Sequence, residues 1–188
     1  NNNVDFIEEN VVFHDGYIIL CMTTPDNTGY GNEDPEYVLL NPGFESGFTS
    51  WSVWPENLTN YSVVTEPVLH GDRSLKLFGQ NTGTTNSIAV YQTFNPSQGE
   101  EFTFSGSVYS ASDDPIAGDN TAFLEMTFFD GNWSVLGDQP VSSSITSSSP
   151  TDQWLPLTIS GTAPNGVVSF NVAMIFKQMN SAGGSVYF

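Results

Sequence analysis

The stretch TAFLEMTFF, residues 121–129, decides the fold that we expect for this chain. Its even-numbered positions carry Ala, Leu, Met and Phe, whereas its odd-numbered positions carry Thr, Phe, Glu, Thr and Phe. Successive side chains on a β-strand point to opposite faces, so this alternation predicts a strand with one face buried in a core. The opposite face carries Glu125 in mid-strand, where the carboxylate either lines a cleft or simply meets solvent.

The same alternation recurs from Val38 onward. Residues 101–110, 153–161 and 166–177 each place apolar side chains on one face and more polar ones on the other. Turn-forming residues separate these segments, and no segment carries the apolar stripe of an amphipathic helix. The pattern predicts an all-β protein, an antiparallel β-sandwich over residues 38–188. The expected strands are 38–41, 61–65, 73–79, 87–95, 101–110, 121–130, 140–146, 153–161 and 166–177.

The sandwich is preceded by a β-hairpin segment and an acidic linker. Residues 11–13 and 17–22 are apolar and flank His14-Asp15-Gly16, and Asp-Gly is a strong signal for a tight turn. We therefore expect a hairpin within residues 1–24. Residues 25–37 contain two Pro, two Gly and four acidic residues without periodicity, which predicts a linker. Two strands alone are barely stable in water, so the hairpin needs a sheet in its own domain, a neighbouring domain or another chain.

The charge balance excludes several classes of partner. The 188 residues include 21 acidic and 3 basic side chains, for a formal net charge of −18. Without a Lys/Arg patch the chain is a poor match for nucleic acid or an anionic membrane surface. The single cysteine, Cys21, excludes an internal disulfide, and no apolar run reaches the length of a membrane span. A chain that begins at Asn1 rather than Met indicates a processed or an excised chain, and an extracellular origin fits either reading.

Several motifs resemble a known group of proteins. Leu40-Asn-Pro-Gly-Phe-Glu-Ser-Gly47 followed by Trp51 is similar to the opening of secreted jelly-roll carbohydrate-binding modules of families 4, 16 and 22. The turn and strand Val68-Leu-His-Gly-Asp-Arg-Ser-Leu-Lys-Leu77 extend the similarity, as does the terminal Gly183-Gly-Ser-Val-Tyr-Phe188. The resemblance covers roughly residues 38–188. It implies a jelly roll of the galactose-binding-like type and binding of a polysaccharide.

The resemblance also implies a structural calcium ion. In these modules the ion lies where the NPGFE segment meets the following turn, and the matching residues here are Glu45, Asp72 and Ser74. The family's last strand usually continues into one or two Asp residues, which this sequence does not include. Calcium takes six to eight oxygen ligands, carboxylates and carbonyls among them. The alternative is that Glu45 merely caps a turn.

Surplus aromatic residues supply candidates for a sugar-binding site. Aromatic rings stack on the apolar face of a sugar, and amides and carboxylates hydrogen-bond to its hydroxyls. We expect Trp51 and Trp154 to belong to the core, and Tyr91 and Gln92 to point to opposite faces of one strand. Ordinary packing remains an alternative for each aromatic residue. The candidate carbohydrate-binding residues are Trp54, Tyr91, Tyr109, Glu125, Trp133 and Gln178, with Asn171 as a further polar neighbour.

The sequence does not support catalysis by this chain itself. Its adjacent acids occur mostly in linkers or loops, and neighbours on a strand point to opposite faces, so no pair of catalytic carboxylates is evident. Residues 1–24 carry a weaker resemblance to an edge of the laminarinase and lichenase group of glycoside hydrolases, without the catalytic Glu-x-Asp-x-x-Glu signature. An enzyme would therefore require the rest of a catalytic domain.

Two function classes follow. The first is a non-catalytic, extracellular carbohydrate-binding module that delivers an attached hydrolase to a neutral polysaccharide of the β-glucan type. The second is a structural subunit of an extracellular matrix, adhesin or filament, in which residues 1–24 of one copy complete the sheet of another. The observation that distinguishes these two function classes is the place where residues 1–24 pack.

Overall fold

A computed structural model describes residues 38–188 and, as a backbone strand only, residues 19–23. The predicted turn at 14–16 and the predicted linker 25–37 lie outside the described residues. Within the described part the regular structure is entirely β, and no helix that could cross a membrane occurs there. The strands are β1 (Ile19–Thr23), β2 (Ser52–Trp54), β3 (Tyr61–Val64), β4 (Ser74–Phe78), β5 (Asn86–Phe94), β6 (Glu101–Tyr109), β7 (Thr121–Phe129), β8 (Val135–Leu136), β9 (Trp154–Thr162), β10 (Ser169–Gln178) and β11 (Ser185–Tyr187).

The strands form two antiparallel sheets, which confirms the predicted β-sandwich. The five-stranded sheet has the order β2-β5-β10-β7-β8. The six-stranded sheet is built around β6, which pairs along its whole length with β9. Its other edge is shared by β1 and β11, and the sheet continues from β11 through β4 to β3.

Strand β1 joins the sandwich of its own chain. Ile19 pairs with Ser105 and Thr23 with Glu101, so β1 covers the first half of β6. Strand β11 meets the same edge at the far end, where Tyr187 pairs with Tyr109. Because β9 takes the opposite edge, β1 and β11 lie in line along one edge of β6. The part of the predicted hairpin that is described therefore pairs in cis.

The core lies between the two sheets and follows the predicted alternation. On β7 the side chains of Ala122, Leu124, Met126 and Phe128 are at most 2% exposed. Apolar side chains of β5 and β10 extend this layer within the same sheet, and those of β6 and β9 pack against it from the facing sheet. Burial of apolar surface at roughly 25 cal/mol per Å2 makes this layer the main source of stability. Phe170 on β10 stands at its centre, with ring contacts to Phe94, Phe102 and Phe128.

The strand predictions are wrong for several short or irregular segments. Residues 38–41 are not a strand: the Gln92 side chain pairs with both backbone groups of Leu40 instead. Residues 140–146 form no regular strand, but they follow the edge of β7 through isolated bridges at Val141 and Ile145 and a hydrogen bond from Ser142 N to Leu124 O. The residue pattern missed Ser52–Trp54 and Val135–Leu136, since two or three residues are too few to display alternation. Ser185–Tyr187 falls within the segment that the family resemblance placed at the last strand.

Candidate functional site

The outer face of the five-stranded sheet carries a cleft of about 480 Å3. Such a volume lies within the usual range for ligand sites. Four of the candidate residues lie together in it: Trp54, Tyr91, Glu125 and Trp133. The remaining lining residues are Ala89, Thr127, Phe129, Val135, Gln139, Asn171 and Ala173. Odd-numbered positions of β5, β7 and β10 thus form its floor, because the even-numbered ones face the core.

Two exposed tryptophans stand at opposite ends of this cleft. Trp54 closes β2 at the sheet edge and is 60% exposed, and Trp133 is 65% exposed. Trp133 lies in the loop between β7 and β8, against the Phe129 ring at 5.5 Å between centroids. Both indoles therefore present apolar ring surface to solvent, and a sugar ring could cover that surface. The tryptophans are therefore the part of the cleft best suited to stacking on a ligand.

The loop that displays Trp133 is shaped by Asp130. The Asp130 carboxylate accepts hydrogen bonds from the backbone N–H groups of Asn132 and Ser134, at 2.8 and 2.9 Å. The Asp130 N–H bonds to the Ser134 carbonyl at 3.0 Å and closes the loop. Within it Trp133 adopts φ of 61°, a left-handed conformation that a bulky residue rarely takes. The local hydrogen bonds hold the indole outward.

The length of the cleft follows from the strand registers. Trp54 on β2 pairs with Ala89 on β5. Ala89 pairs with Ile175 on β10, and Ile175 pairs with Phe123 on β7. Phe129 lies six residues further along β7. Three strand spacings across and six residues along an ideal flat sheet place Trp54 and Phe129 about 25 Å apart. The cleft is therefore an elongated groove that runs diagonally over the sheet.

The floor of the cleft presents oriented polar groups. Thr93 donates a hydrogen bond to Asn171 Oδ1 at 2.7 Å, which leaves the Asn171 amide N–H groups directed elsewhere as donors. Thr127 donates to Glu125 Oε1 at 3.0 Å, and Gln139 donates to Thr127 at 3.4 Å. Glu125 supplies acceptors and is the single carboxylate of the lining. A donor and an acceptor thus lie side by side between the tryptophans.

Tyr91 and Gln92 lie on opposite faces, as predicted for neighbours on a strand. Tyr91 is half-buried and lines the cleft. Gln92 is 6% exposed; its amide accepts from Leu40 N at 3.0 Å and donates to Leu40 O at 2.7 Å. Trp51 is buried and stacks on Phe44, which confirms its predicted place in the core.

Gln178 does not lie in the cleft with the other candidate residues; it lines a different pocket, beside Lys76 and Asp114. Its side chain is 1% exposed at the end of β10. The amide oxygen accepts from Asn81 N at 2.8 Å and Asn86 Nδ2 at 3.0 Å, and the amide nitrogen donates to Asn81 Oδ1 and Ala182 O. All four hydrogen-bonding positions of the amide are used. Gln178 is therefore a structural residue that joins two loops.

Tyr109 lies on the outer face of the other sheet. Its ring packs on Trp154 at 5.3 Å, and its hydroxyl donates to Asp152 Oδ1 at 3.2 Å. Burial, together with the Asp152 carboxylate, raises the pKa of Tyr109. Hydrogen bonds from Ser112 lower the pKa of Asp152. Trp154 is accordingly half-buried against Tyr109 on that face rather than in the core between the sheets.

The sequence reasoning missed part of the cleft. Thr127 and Phe129 share the face of Glu125 on β7, and Ala173 shares the face of Asn171 on β10. The same period-two rule that selected Glu125 could have selected them, because every second residue of a strand shares its face. Ala173 matters through its small size, which leaves space at the centre of the sheet.

The turn proposed for calcium fits that ion in part. Glu45 Oε1 accepts a hydrogen bond from Asp72 N at 2.9 Å, and Gly71 (φ +72°) could not carry a Cβ, which would lie 2.0 Å from the same oxygen. Glu45 and Asp72 are exposed and could supply carboxylate ligands. The Ser74 hydroxyl is a poor ligand, since it is buried and donates to Pro67 O at 2.6 Å. In the described part of the chain no three His, Cys, Asp or Glu side chains form a metal-binding group.

Comparison with known proteins supports the fold. No family model and no curated protein matches the sequence. The structure is similar to the enzymatically active domain of tailspike protein 4 from bacteriophage CBA120, with 13% identity, a TM-score of 0.55 and coverage of 79% of this chain and 20% of that one. It is also similar to the C-terminal family 22 carbohydrate-binding module of Clostridium thermocellum Xyn10B, with 17% identity, a TM-score of 0.52 and coverage of 87% and 92%.

A third similar structure is the CBM22-1 xylan-binding domain of Paenibacillus barcinonensis Xyn10C, with 16% identity, a TM-score of 0.54 and coverage of 77% and 86%. A family 16 carbohydrate-binding module matches with a TM-score of 0.52. At these identities the likeness defines the class of fold. The chain has the jelly-roll β-sandwich of carbohydrate-binding modules, as the sequence resemblance implied.

Proposed function

We propose that this chain is a non-catalytic carbohydrate-binding module that holds an extended polysaccharide chain in the cleft. The observation that carries the proposal is the pair of exposed tryptophans, Trp54 and Trp133, at the two ends of an elongated groove. Between them the groove offers a donor at Asn171 and an acceptor at Glu125. Stacking surfaces with a few oriented polar groups are what sugar recognition requires.

The ligand that fits this groove is a neutral glycan. Glu125 is the single carboxylate of the lining and the lining holds no Lys or Arg, so a uronic acid or sulfate would meet like charge. The chain as a whole carries −18, which strengthens the same selection at low salt. Lining residues about 25 Å apart on an ideal flat sheet suit several linked sugar units rather than one. We infer a glycan of the β-glucan or xylan type.

The proposed function also involves secretion, an attached catalytic domain and a bound calcium ion. We propose that the protein is secreted and that an attached catalytic domain acts on the polysaccharide that the module retains. One similar structure joins a CBM22-1 module to a GH10 module and holds xylohexaose. We also propose that Glu45 and Asp72, together with backbone carbonyls of their turn, hold a structural Ca2+. Bound at this turn, the ion would fix the junction between the segments 41–50 and 66–73.

The alternative function is assembly by strand donation through residues 1–24. The observation that bears on it is the position of β1, which pairs with β6 of its own chain. A strand that adds to an edge in cis could add to the same edge in another copy. Light scattering distinguishes pairing within one chain from assembly between copies. A monomer at all concentrations would exclude assembly by strand donation.

Affinity gel electrophoresis tests the proposed function. The protein is run in gels that contain laminarin, xylan, hydroxyethyl cellulose, agar or no glycan, with Ca2+ present. We expect retardation by at least one neutral β-linked glycan and none by an anionic control such as hyaluronan, which Ca2+ does not gel. Bovine serum albumin in the same gels corrects for sieving. Equal mobility in every gel would contradict the proposal.

A further inference from the structure

A second pocket lies on the opposite side of the molecule from the cleft. It has a volume of about 420 Å3 and lies on the outer face of the six-stranded sheet, beside β3 and β4. The side chains that line it are those of Ser62, Lys76, Phe78, Asn81, Asp114 and Gln178, and Gly79, Gly183 and Gly184 complete the lining. The second pocket shares no lining residue with the cleft, and it reaches the end of the sandwich, where Gln178 closes β10.

An ion pair stands in the second pocket. Lys76 Nζ lies 3.4 Å from Asp114 Oδ2 and 5.3 Å from the centre of the Tyr187 ring. Asp114 Oδ2 also accepts a hydrogen bond from Ser185 Oγ at 2.7 Å, which fixes the carboxylate. Burial lowers the pKa of Lys76, but Tyr187 and Asp114 more than offset it, so the pKa is raised and the ammonium stays charged. The pair places N–H donors next to carboxylate acceptors.

The remaining walls add a hydroxyl, an amide and an apolar surface. Ser62 pairs directly with Lys76 across β3 and β4, so the two side chains share one face. Phe78 follows Lys76 by two residues on the same face and is half-buried, which leaves part of its ring in the pocket. Asn81 is exposed on the adjoining loop. One small pocket therefore combines an aromatic surface with charged, amide and hydroxyl groups.

The rim of the second pocket is held in place by buried amides. Gln178 joins Asn81 to Ala182, and Asn120 donates to the carbonyls of Ala182 and Gly183 at 2.8 and 2.9 Å. Gly184 (φ +104°) packs so closely that a Cβ there would lie 2.2 Å from Pro115 O. These contacts preorganise the loops, which lowers the entropic cost of binding.

We propose that the second pocket binds a single neutral sugar unit. A pyranose has an apolar face for Phe78 and adjacent hydroxyls that both donate and accept, which matches the Lys76–Asp114 pair. Asp114 and the overall charge disfavour an anion, whereas a purely apolar ligand would leave the ion pair desolvated and without partners. The molecule then carries two sugar sites on opposite faces. One polysaccharide network bound at both would gain avidity.

A titration followed by 1H–15N NMR tests this inference. Free glucose, xylose, mannose and galactose are added separately to the whole chain and to the variant Trp54→Ala/Trp133→Ala. We expect at least one sugar to shift the amide signals of Ser62, Phe78 and Asn81 in both proteins. Lys76→Met should weaken this binding about tenfold or more, because it removes a charged hydrogen-bond partner. Lys177→Met, which changes an exposed lysine on the other sheet, should leave it unchanged.

The outcomes separate this inference from the proposed function. Silence of the second-pocket signals with all four sugars would overturn the inference, whatever the cleft signals of Tyr91 and Asn171 do. Shifts that persist unchanged in Lys76→Met would also overturn it. If Lys76→Met does not fold, Ser62→Ala serves instead and should weaken the binding severalfold. Shifts confined to the second pocket support the inference even where polysaccharides fail to bind the cleft.

Discussion

The Thr93 hydroxyl donates a hydrogen bond to Asn171 Oδ1 at 2.7 Å on the floor of the cleft. The two residues lie directly opposite each other on β5 and β10. Because the bond occupies the amide oxygen, it fixes which end of the Asn171 amide faces a ligand, and that end is the N–H donor. Cross-strand pairs of this kind orient a binding group without a loop to hold it.

Asn171→Asp should therefore weaken glycan binding about tenfold or more. The substitution keeps the size of the side chain but replaces two donors by an acceptor, and it adds a second carboxylate near Glu125. Isothermal titration calorimetry with an oligosaccharide of the retained glycan measures the change. The matched variant Thr93→Val should cost less, since the amide stays but loses its orientation. Equal affinities for Asn171→Asp and the parent would contradict the assignment of Asn171 as a donor.

Glu125→Lys should change the charge selectivity of the cleft. The substitution reverses the one carboxylate of the lining, so the repulsion of anionic glycans becomes attraction. We expect affinity gels with alginate or pectin to retard the variant at low salt, and the retardation to vanish as salt screens the charge. Glu101→Lys is the matched control, because Glu101 is exposed on the other sheet. If both variants respond alike, total charge rather than the cleft governs selectivity.

Gln178→Leu should lower the stability of the fold without changing the cleft. The variant keeps a similar volume but leaves the partners of the buried amide, at Asn81, Asn86 and Ala182, without it. Each buried polar group that loses its hydrogen-bond partner lowers the free energy of unfolding by about 1–3 kcal/mol at most. Water that enters the loops and bonds to these groups reduces the loss. We expect Tm to fall by several degrees, at about 2–4 °C per kcal/mol for a chain of this size. Unchanged Tm would contradict the structural role.

Acid should weaken the contact between Asp152 and the loop at Ser112. Ser112 hydrogen bonds hold the pKa of Asp152 below its usual value in the folded chain. A lowered carboxyl pKa gives stability that is present above the unfolded pKa of about 3.8 and is lost as pH falls through the folded value. Chemical denaturation between pH 5 and pH 2, as rough limits of that window, should show a shallower pH dependence for Asp152→Asn. Parallel curves for the two proteins would contradict this account.

Calcium should raise the thermal stability of the protein if the turn at Glu45 holds the ion. A ligand that binds only the folded state stabilises it by RT ln(1 + [L]/Kd), about 2.7 kcal/mol at a hundredfold excess over Kd. Differential scanning calorimetry with Ca2+ or with EDTA measures the shift in Tm, and Glu45→Gln should abolish it. Magnesium is the control, because it demands six ligands in a smaller, more rigid geometry. Identical Tm values in Ca2+ and EDTA would leave Glu45 as a cap of the turn at Asp72.

The sequence predicted the core of this fold well, and the reason is physical. Alternation on β7 and β10 follows from the pleat of a strand, so it places Phe128 and Phe170 in the core without knowledge of any partner. The same rule places Gln178 on the core face of β10, in phase with Phe176, and it could have removed Gln178 from the candidates for the cleft. Its buried amide is stabilised by loops that are distant in sequence.

Alternation does not say which sheet a strand joins. Tyr109 and Tyr91 both lie on outer faces, yet β6 and β5 belong to different sheets, so only Tyr91 reaches the cleft. The position of Trp133 depends on hydrogen bonds within its loop, to Asp130, which the turn-like sequence only suggested. Pairing between strands distant in the chain decides both the cleft and the second pocket.

The central claim is that Trp54 and Trp133 form the sugar-stacking ends of one cleft. Isothermal titration calorimetry tests it most directly, with an oligosaccharide of the retained glycan, on the parent chain and on Trp54→Ala/Trp133→Ala. Both side chains are exposed, so circular dichroism and Tm should change little. We predict that the double variant loses at least a hundredfold in affinity, about 2.7 kcal/mol. Binding of the parent and the double variant with equal affinity would contradict the account.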